Sequence, residues 1–466
     1  MNTLSHEQQQ AQLLLNFIDN SPSPWHVVET IEKQLMKLQF ERLDETEVWT
    51  LKASRRYYVV RGDSSIIAFV HGEKSASKAG FKIIGAHTDS PSLRIKLNPT
   101  NNTTELERLN VEIYGGAILA TFADRELSFA GRVSYQTKTG KLEQDLVHFE
   151  KPLLRLPNLA IHLNRNVNEE GLKFQKQTEL NLILANITKQ LPTSQFMTLL
   201  KSHLPNAEKI LAWDLNVFDT QKGNLWGANN EFFANGQIDN LASCHAAITA
   251  LFEACGLKND STLVCAFFDH EEVGSESHCG ASGSFLTDVL KRISDATAQT
   301  SQDFSRALAQ SFVISADMAH AYHPNFPSVY DASHLVHINQ GVVIKVNVNQ
   351  RYTSDGISEA MFMQWCEQAG VPYQIYSHRN DLPCGSTIGA IVSAKLGVRG
   401  VDVGNPMWAM HSCRESAGVL DHYAMIQVMK RFFSPMTVVE SINRPHNTTL
   451  TNRDHFHNVS PFNQIK

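Results

Sequence analysis

The chain has 466 residues, 42% of them hydrophobic and 19% charged, with 25 Gly and 16 Pro; this excludes a disordered or fibrous polymer and leaves material for more than one core. Lys and Arg number 41 against 47 Asp and Glu, a net charge of -6, so nothing provides a basic footprint for nucleic acid or an anionic membrane, and neither partner is expected. Seven Cys without a CxxC pair argue against a disulfide framework or a thiolate zinc site. The amino terminus lacks a basic n-region and no apolar run reaches about 18 residues, so the expected location is cytoplasmic.

Ser23 and Pro24 precede an apolar stripe at Val27, Val28, Ile31, Leu35 and Leu38, which predicts a helix with an N-cap and a first-turn proline. Residues 57–70 and 81–86 are β-branched and aromatic, and the second run stops at His87-Thr88-Asp89-Ser90-Pro91, a strand feeding a polar loop. Between about 97 and 236 the texture changes to short alternating runs (VEIYGGAILATF, LSFAGRVSYQT, LAIHLNR), which reads as antiparallel strands in an inserted domain. After Asp239 a βαβ rhythm returns: a helix over 240–255, a strand over 261–268, another ending at Ile314, runs at 342–348 and 400–403, and a helix after Asp421. Residues 1–96 and 237–466 would then form one α/β domain and 97–236 a second.

Five polar clusters interrupt these runs: His87-Thr88-Asp89, Asp239-Asn240, Asp269-His270-Glu271-Glu272, Asp317-Met318-Ala319-His320 and His411-Ser412. Four follow a predicted strand, where open α/β sheets place their sites. Each has an ordinary explanation alone: a strand-end histidine, a helix N-cap at Asp239, a solvated acidic turn, a loop histidine. Together they make an Asp/Glu/His donor set suited to Zn²⁺, Mn²⁺ or Co²⁺ in an open catalytic site. Side chains of adjacent Glu271 and Glu272 diverge, so one can bind metal while the other handles water. In a two-metal hydrolase the ions lie about 3.5 to 4 Å apart, and Asp239 is the natural bridging ligand.

The segments GAHTDSPSLRIK, GQIDNLASC, FFDHEEVGSES, ISADMAHAYHPN and AMHSCRES, in this order, resemble the M18 metallopeptidases, the aspartyl aminopeptidases. SPSPWHVV and PNLAIHLNR resemble the same family, so the likeness covers nearly the whole chain. It implies an α/β fold in which a three-layer zinc-peptidase catalytic domain with a mixed sheet carries an inserted β-rich dimerisation domain. By position, it implies that His87 and Asp317 complete one metal site, Glu272 and His411 the other, and that Asp239 bridges them. Glu271 would be the general base and Asp89 the carboxylate that orients His87. The implied cofactor is two Zn²⁺ per subunit, with Mn²⁺ or Co²⁺ as the alternative at one site.

Peptides with acidic N-terminal residues are the implied substrates, and Lys345, with Arg351 as a second choice, the cation that meets them; six apart on one strand, the two would share a face. His162 would reach from one subunit into its neighbour's site, in a homo-oligomer for which a dodecamer is the candidate. His270, His278, His320 and His323 are given no ligand role. Cys384-Gly385-Ser386-Thr387 reads equally as an anion-cradling helix start or as a simple cap. Two rival readings stay open: a two-metal hydrolase of N-acyl amino acids, and a non-enzymatic assembly or peptide-binding protein on the same fold.

Overall fold

The segment FKIIGAH alternates its apolar side chains between two cores: Ile84 and Ala86 join one, and Phe81 and Ile83 the other. Val264 and Ala266 against Cys265 and Phe267 repeat the pattern. A strand buried on both faces needs cover on both sides, and the chain supplies it. The computed structural model describes residues 4–103, 105–187 and 194–435. Within them a nine-stranded mixed sheet runs in the order Glu41–Arg42, Arg56–Arg61, Ser65–Val70, Thr262–Phe268, Phe81–His87, Phe312–Ala316, Arg399–Gly404, Val342–Val346, Tyr373–Ser377. Helices His6–Asp19, Pro24–Lys37, Ile238–Ala254, Gly356–Ala369 and Val419–Phe433 cover one face. Phe285–Ala296, Ser301–Ala309 and Ile388–Leu396 cover the other, giving the expected three layers.

A second sheet of six antiparallel strands is built from 92–219 in the order Leu142–His148, Leu127–Thr137, Ala207–Asp219, Ser92–Thr100, Leu106–Tyr114, Leu182–Asn186. It has its own core, centred on Phe129, Val133, Phe196 and Leu215. A third sheet pairs Phe232–Asn235 with Glu415–Gly418 and carries Pro406–Trp408 and Ala319–His320 beside it. Strand pairing therefore continues across both sequence limits, 96 and 236.

Three local expectations are corrected. The strand at Val342 ends at Val346, because Asn347 to Gln350 form a hydrogen-bonded turn. LAIHLNR is not a strand: the amides of Leu163 and Asn164 bond back to Ala160 and Ile161, closing turns in an exposed loop. The helix at Pro24 starts where expected, but the Ser23 hydroxyl bonds His26 Nδ1 at 2.7 Å instead of a backbone amide. Among the described residues no helix is long and apolar enough to cross a membrane. All seven cysteines are free.

Inside the first core, His245 Nδ1 and His422 Nε2 share a hydrogen bond of 3.0 Å between helices Ile238–Ala254 and Val419–Phe433. Burial holds both rings neutral, lowering His245 to about 4 and His422 well below its ordinary value. An unfolded chain titrates its histidines near 6.5, so between about pH 6.5 and 4 the unfolded state binds more protons. The pair's contribution is complete above that window and is lost as pH falls through it. By pH 5 the loss at His245 is on the order of 2 kcal/mol. The melting temperature is expected to drop between pH 7 and pH 5, and His422→Gln to flatten that slope; identical slopes in calorimetry would contradict this.

Candidate metal centre

Parallel strands Thr262–Phe268, Phe81–His87 and Phe312–Ala316 lie side by side with matching direction, so their carboxyl ends open onto one crevice. His87 ends the central strand, Asp317 follows the strand on one side, and Glu271 and Glu272 follow the strand on the other. Asp239 comes from the start of Ile238–Ala254, where it departs from helical dihedrals (φ -80°, ψ 106°). His411, at φ 69°, comes from the loop between two strands of the third sheet.

His87 Nε2 lies 3.5 Å from Asp239 Oδ1 and 3.5 Å from Asp317 Oδ1. His411 Nε2 lies 3.3 Å from Asp239 Oδ2 and 3.4 Å from Glu272 Oε1. Two donor groups share the Asp239 carboxylate, His87/Asp239/Asp317 and Asp239/Glu272/His411, and a third joins His87 with Glu271 and Glu272. These spacings exceed the usual 2.7–3.2 Å of a nitrogen–oxygen hydrogen bond. They match what two donors sharing a tetrahedral ion require: with bonds of about 2.1 Å, the donors stand roughly 3.4 Å apart. Asp239 Oδ1 is buried without a hydrogen-bond partner. The residues fit zinc.

The electrostatics agree. Burial resists protonation of His411, yet Asp239 and Glu272 overcome it and hold the ring up to about 11. His87 is likewise held well above its ordinary value, against burial, by Asp239, Asp317 and Asp89. Burial pushes Glu272 to about 7, aided by Asp239, and Glu271 to about 9, aided by Asp317, Glu272 and Asp89. A field this negative is satisfied by divalent cations, which leave the imidazoles neutral as ligands and bring the carboxyls back toward their ionised forms.

Two further carboxylates hold the ligands without belonging to either donor group. His87 Nδ1 donates to the main-chain carbonyl of Asp89 at 3.0 Å, with the Asp89 carboxylate at 3.3 Å. That carboxylate accepts the amides of Glu271 and Glu272, each at 3.1 Å, and the Tyr114 hydroxyl at 2.7 Å. Glu415, fully buried, accepts the amides of Asp239 at 3.1 Å and His411 at 2.6 Å. Glu415 and Tyr114 escaped the sequence reading. Glu415 stands in the same segment as His411, four residues on, and its proximity was the available signal; Tyr114 carried none.

The remaining expectations divide. Lys345 is 3% exposed; its ammonium donates to the Met318 carbonyl at 2.9 Å and lies 3.4 Å from Asp317 Oδ2, beside the Tyr352 ring. Arg351 is not on the same strand, because that strand ends at Val346; it lies exposed in the following segment and makes no hydrogen bond or ion pair among the described residues. His162 is exposed in its turn and is not brought to the cluster of its own chain. His270 bonds Ser277, His278 touches Cys279, His320 packs between Tyr376 and His378, and His323 accepts from Asn325. Thr387 caps Ile388–Leu396 through the Gly389 amide and donates to Asp402 at 2.6 Å, so capping accounts for it.

A family model described as Aminopeptidase I zinc metalloprotease (M18) matches residues 17–433. The chain belongs to the M18 family. This M18 chain is 44% identical over 426 residues to the "Probable M18 family aminopeptidase 2" of Pseudomonas aeruginosa (strain UCBPP-PA14), covering 90% of this chain and 97% of that protein. The cryo-EM structure of the Ape4 and Nbr1 complex superposes with a TM-score of 0.89 at 37% identity, covering 93% of this chain and 87% of that one. The mApe1 dodecamer of S. cerevisiae superposes with a TM-score of 0.79 at 27% identity, covering 92% and 97%. The M18 chain is thus a zinc metallopeptidase of aminopeptidase type, a hydrolase of peptide bonds.

Asp239→Ala is expected to lower zinc content below half that of the unmodified protein, because both donor groups lose a shared carboxylate. Full zinc content in that variant, by elemental analysis, would show that Asp239 bridges nothing.

Proposed function

We propose that this M18 aminopeptidase carries two zinc ions per subunit and removes acidic residues from peptide amino termini. The observation that carries the reading is the Asp239 carboxylate turned with one oxygen to His87 and the other to His411. His87 and Asp317 would complete one site, Glu272 and His411 the other. Held there, zinc would supply Lewis-acid polarisation of the scissile carbonyl and a more acidic water.

Glu271 belongs to a donor group with His87 and Glu272 but not to either group that contains Asp239. It is the base that takes the proton from attacking water and returns it to the departing amine. Its amide is tied to Asp89, which fixes where the carboxyl starts. The free amino group of the substrate suits a cleft rich in carboxylates, and an N-acyl substrate would leave that field unused. Lys345 is the cation we assign to an acidic substrate side chain. An ammonium has three donors, and here Met318 takes one while Asp317 stands near. The free cysteines suit a cytoplasmic protein.

We further assign residues 97–236 to assembly, with a dodecamer as the form. In the loop around His162, Leu159, Ile161 and Leu163 are exposed by 65%, 48% and 76%, an apolar edge that a second copy of the chain would cover. His162 would then donate a hydrogen bond to the negative charge developing in the neighbour's site.

Turnover of Asp-, Glu-, Leu- and Lys-anilides, with and without N-acetylation, tests the substrate. Two zinc ions per chain and preferred turnover of free Asp and Glu substrates are expected. Lys345→Ala should lower the Asp to Leu ratio, and Glu271→Gln should keep both ions while losing about 10²- to 10⁴-fold in kcat. Equal turnover of acetylated substrates would make the protein an acyl amino acid hydrolase.

Mixing His162→Phe and Glu271→Gln after dissociation tests the shared site. Reassembled oligomers should regain activity wherever an intact His162 meets an intact Glu271. Verified mixed oligomers that stay inactive would confine His162 to its own subunit or to no role.

A further inference from the structure

The six-stranded sheet meets the metal centre at one short segment. Strand Leu106–Tyr114 ends with the Tyr114 ring buried, and its hydroxyl donates to Asp89 Oδ2 at 2.7 Å. The Arg94 guanidinium lies 3.8 Å from the centre of the Tyr114 ring, fixing it from the neighbouring strand. Gly115 has φ 69°, and a Cβ there would stand 3.1 Å from Glu272 Cβ. At Gly116 a Cβ would stand 3.2 Å from His411 Nδ1, and the Gly116 carbonyl accepts from that same nitrogen at 3.3 Å. Beyond it, the Ile118 amide donates to the His411 carbonyl at 2.9 Å and the Thr121 hydroxyl accepts the Cys413 amide at 2.8 Å.

Tyr114 and Gly116 thus bond Asp89 and His411, while a side chain at Gly115 between them would press on Glu272. Tyr114 and Gly116 offer no metal donor; each contacts a histidine donor or the carboxylate tied to one. His411 needs such support, since a non-glycine residue at φ 69° keeps that conformation only where its surroundings impose it. A ring nitrogen that donates to a carbonyl leaves its other nitrogen free to face an ion, the usual way an imidazole ligand is oriented. His87 is oriented by Asp89, which Tyr114 holds; His411 is oriented by Gly116.

We propose that Tyr114 and Gly116 are positioning residues of the metal centre, so that the end of strand Leu106–Tyr114 and the glycines after it set the orientation of both histidine ligands. This rests on the two-zinc reading above. The two contacts carry different signatures. Tyr114→Phe removes one oxygen and loosens Asp89, which touches His87 and both glutamate amides, so both ions should bind more weakly. Gly116→Ala is allowed by its backbone and presses only on His411, so the ion held by Glu272 and His411 should weaken alone.

Stepwise zinc affinity of metal-free protein, by competition with a chromophoric chelator, tests this. Melting temperature and circular dichroism of the metal-free chains accompany it. About 10- to 100-fold weaker binding is expected, at both steps for Tyr114→Phe and at one step for Gly116→Ala, with folding retained. Tyr114→Phe in an Asp89→Asn background should add little, because the tyrosine acts through that carboxylate. Wild-type affinities at both steps in both variants would overturn the proposal. So would failure of the metal-free variants to fold, which would make the segment a structural brace. A wild-type chain that takes up only one zinc overturns the two-ion reading instead, and leaves the effect of Tyr114→Phe on that ion measurable.

Discussion

Negative charge gathered at the carboxyl ends of three parallel strands is the constraint on which the rest of this structure depends. Asp89, Asp239, Glu271, Glu272 and Asp317 converge around two imidazoles, with Lys345 as the cation within 4 Å of the group among the described residues. Carboxylates taken out of water repel one another and lose hydration, so such a group persists only if cations or hydrogen-bond donors compensate it. The chain supplies donors to Asp89 and Glu415, and leaves the oxygens of Asp239, Glu272 and Asp317 facing histidine nitrogens at distances suited to a shared ion. Zinc is therefore part of what makes the cleft tolerable as well as reactive.

Holding these groups apart requires a rigid frame, and the nine-stranded sheet provides it. Three parallel strands, covered on both faces, end at one level and deliver His87, Asp317 and the Glu271–Glu272 pair within a few ångströms. The finer placement is done through the main chain. Asp89 grips the amides of the two glutamates, and Glu415 grips those of Asp239 and His411. Against burial, His87 and these hydrogen bonds hold Asp89 below its ordinary value, and a hydrogen bond to an ionised carboxylate is about twice as strong as a neutral one. Burial and Asp239 raise Glu415 well above its ordinary value, so it holds its two amides by geometry.

The second sheet is more than an appended surface. Its strand Leu106–Tyr114 ends against the donor cluster through the Tyr114–Asp89 hydrogen bond, so whatever moves that strand end acts on Asp89. The exposed loop of His162, with its apolar neighbours, lies in the same part of the chain, between the strands Leu142–His148 and Leu182–Asn186.

The sequence by itself determined the types of the donor residues and the strand ends on which they stand. Parallel strands are apolar throughout and stop at their first polar residues, so His87, Asp317 and Glu271–Glu272 were visible as interruptions; the βαβ rhythm gave an α/β domain, and the three layers came from the family resemblance. Asp239 was visible beside its helix, where the sequence also allowed a simple N-cap; the structure has no side-chain cap at that start, and Asp239 departs from helical dihedrals. Where a strand stops was less legible: Lys345 and Arg351 shared a face only while the run past Val346 was taken as extended, and LAIHLNR alternates like a strand yet closes into turns because no neighbouring strand pairs with it. Only the tertiary structure decided the rest. Tyr114 reaches Asp89 across 25 positions, Glu415 reaches Asp239 across 176, and His411 reaches Gly116 across 295. Local patterning records which face of an element is buried, but a hydrogen bond between distant elements depends on their relative placement, and no periodicity in the chain encodes that.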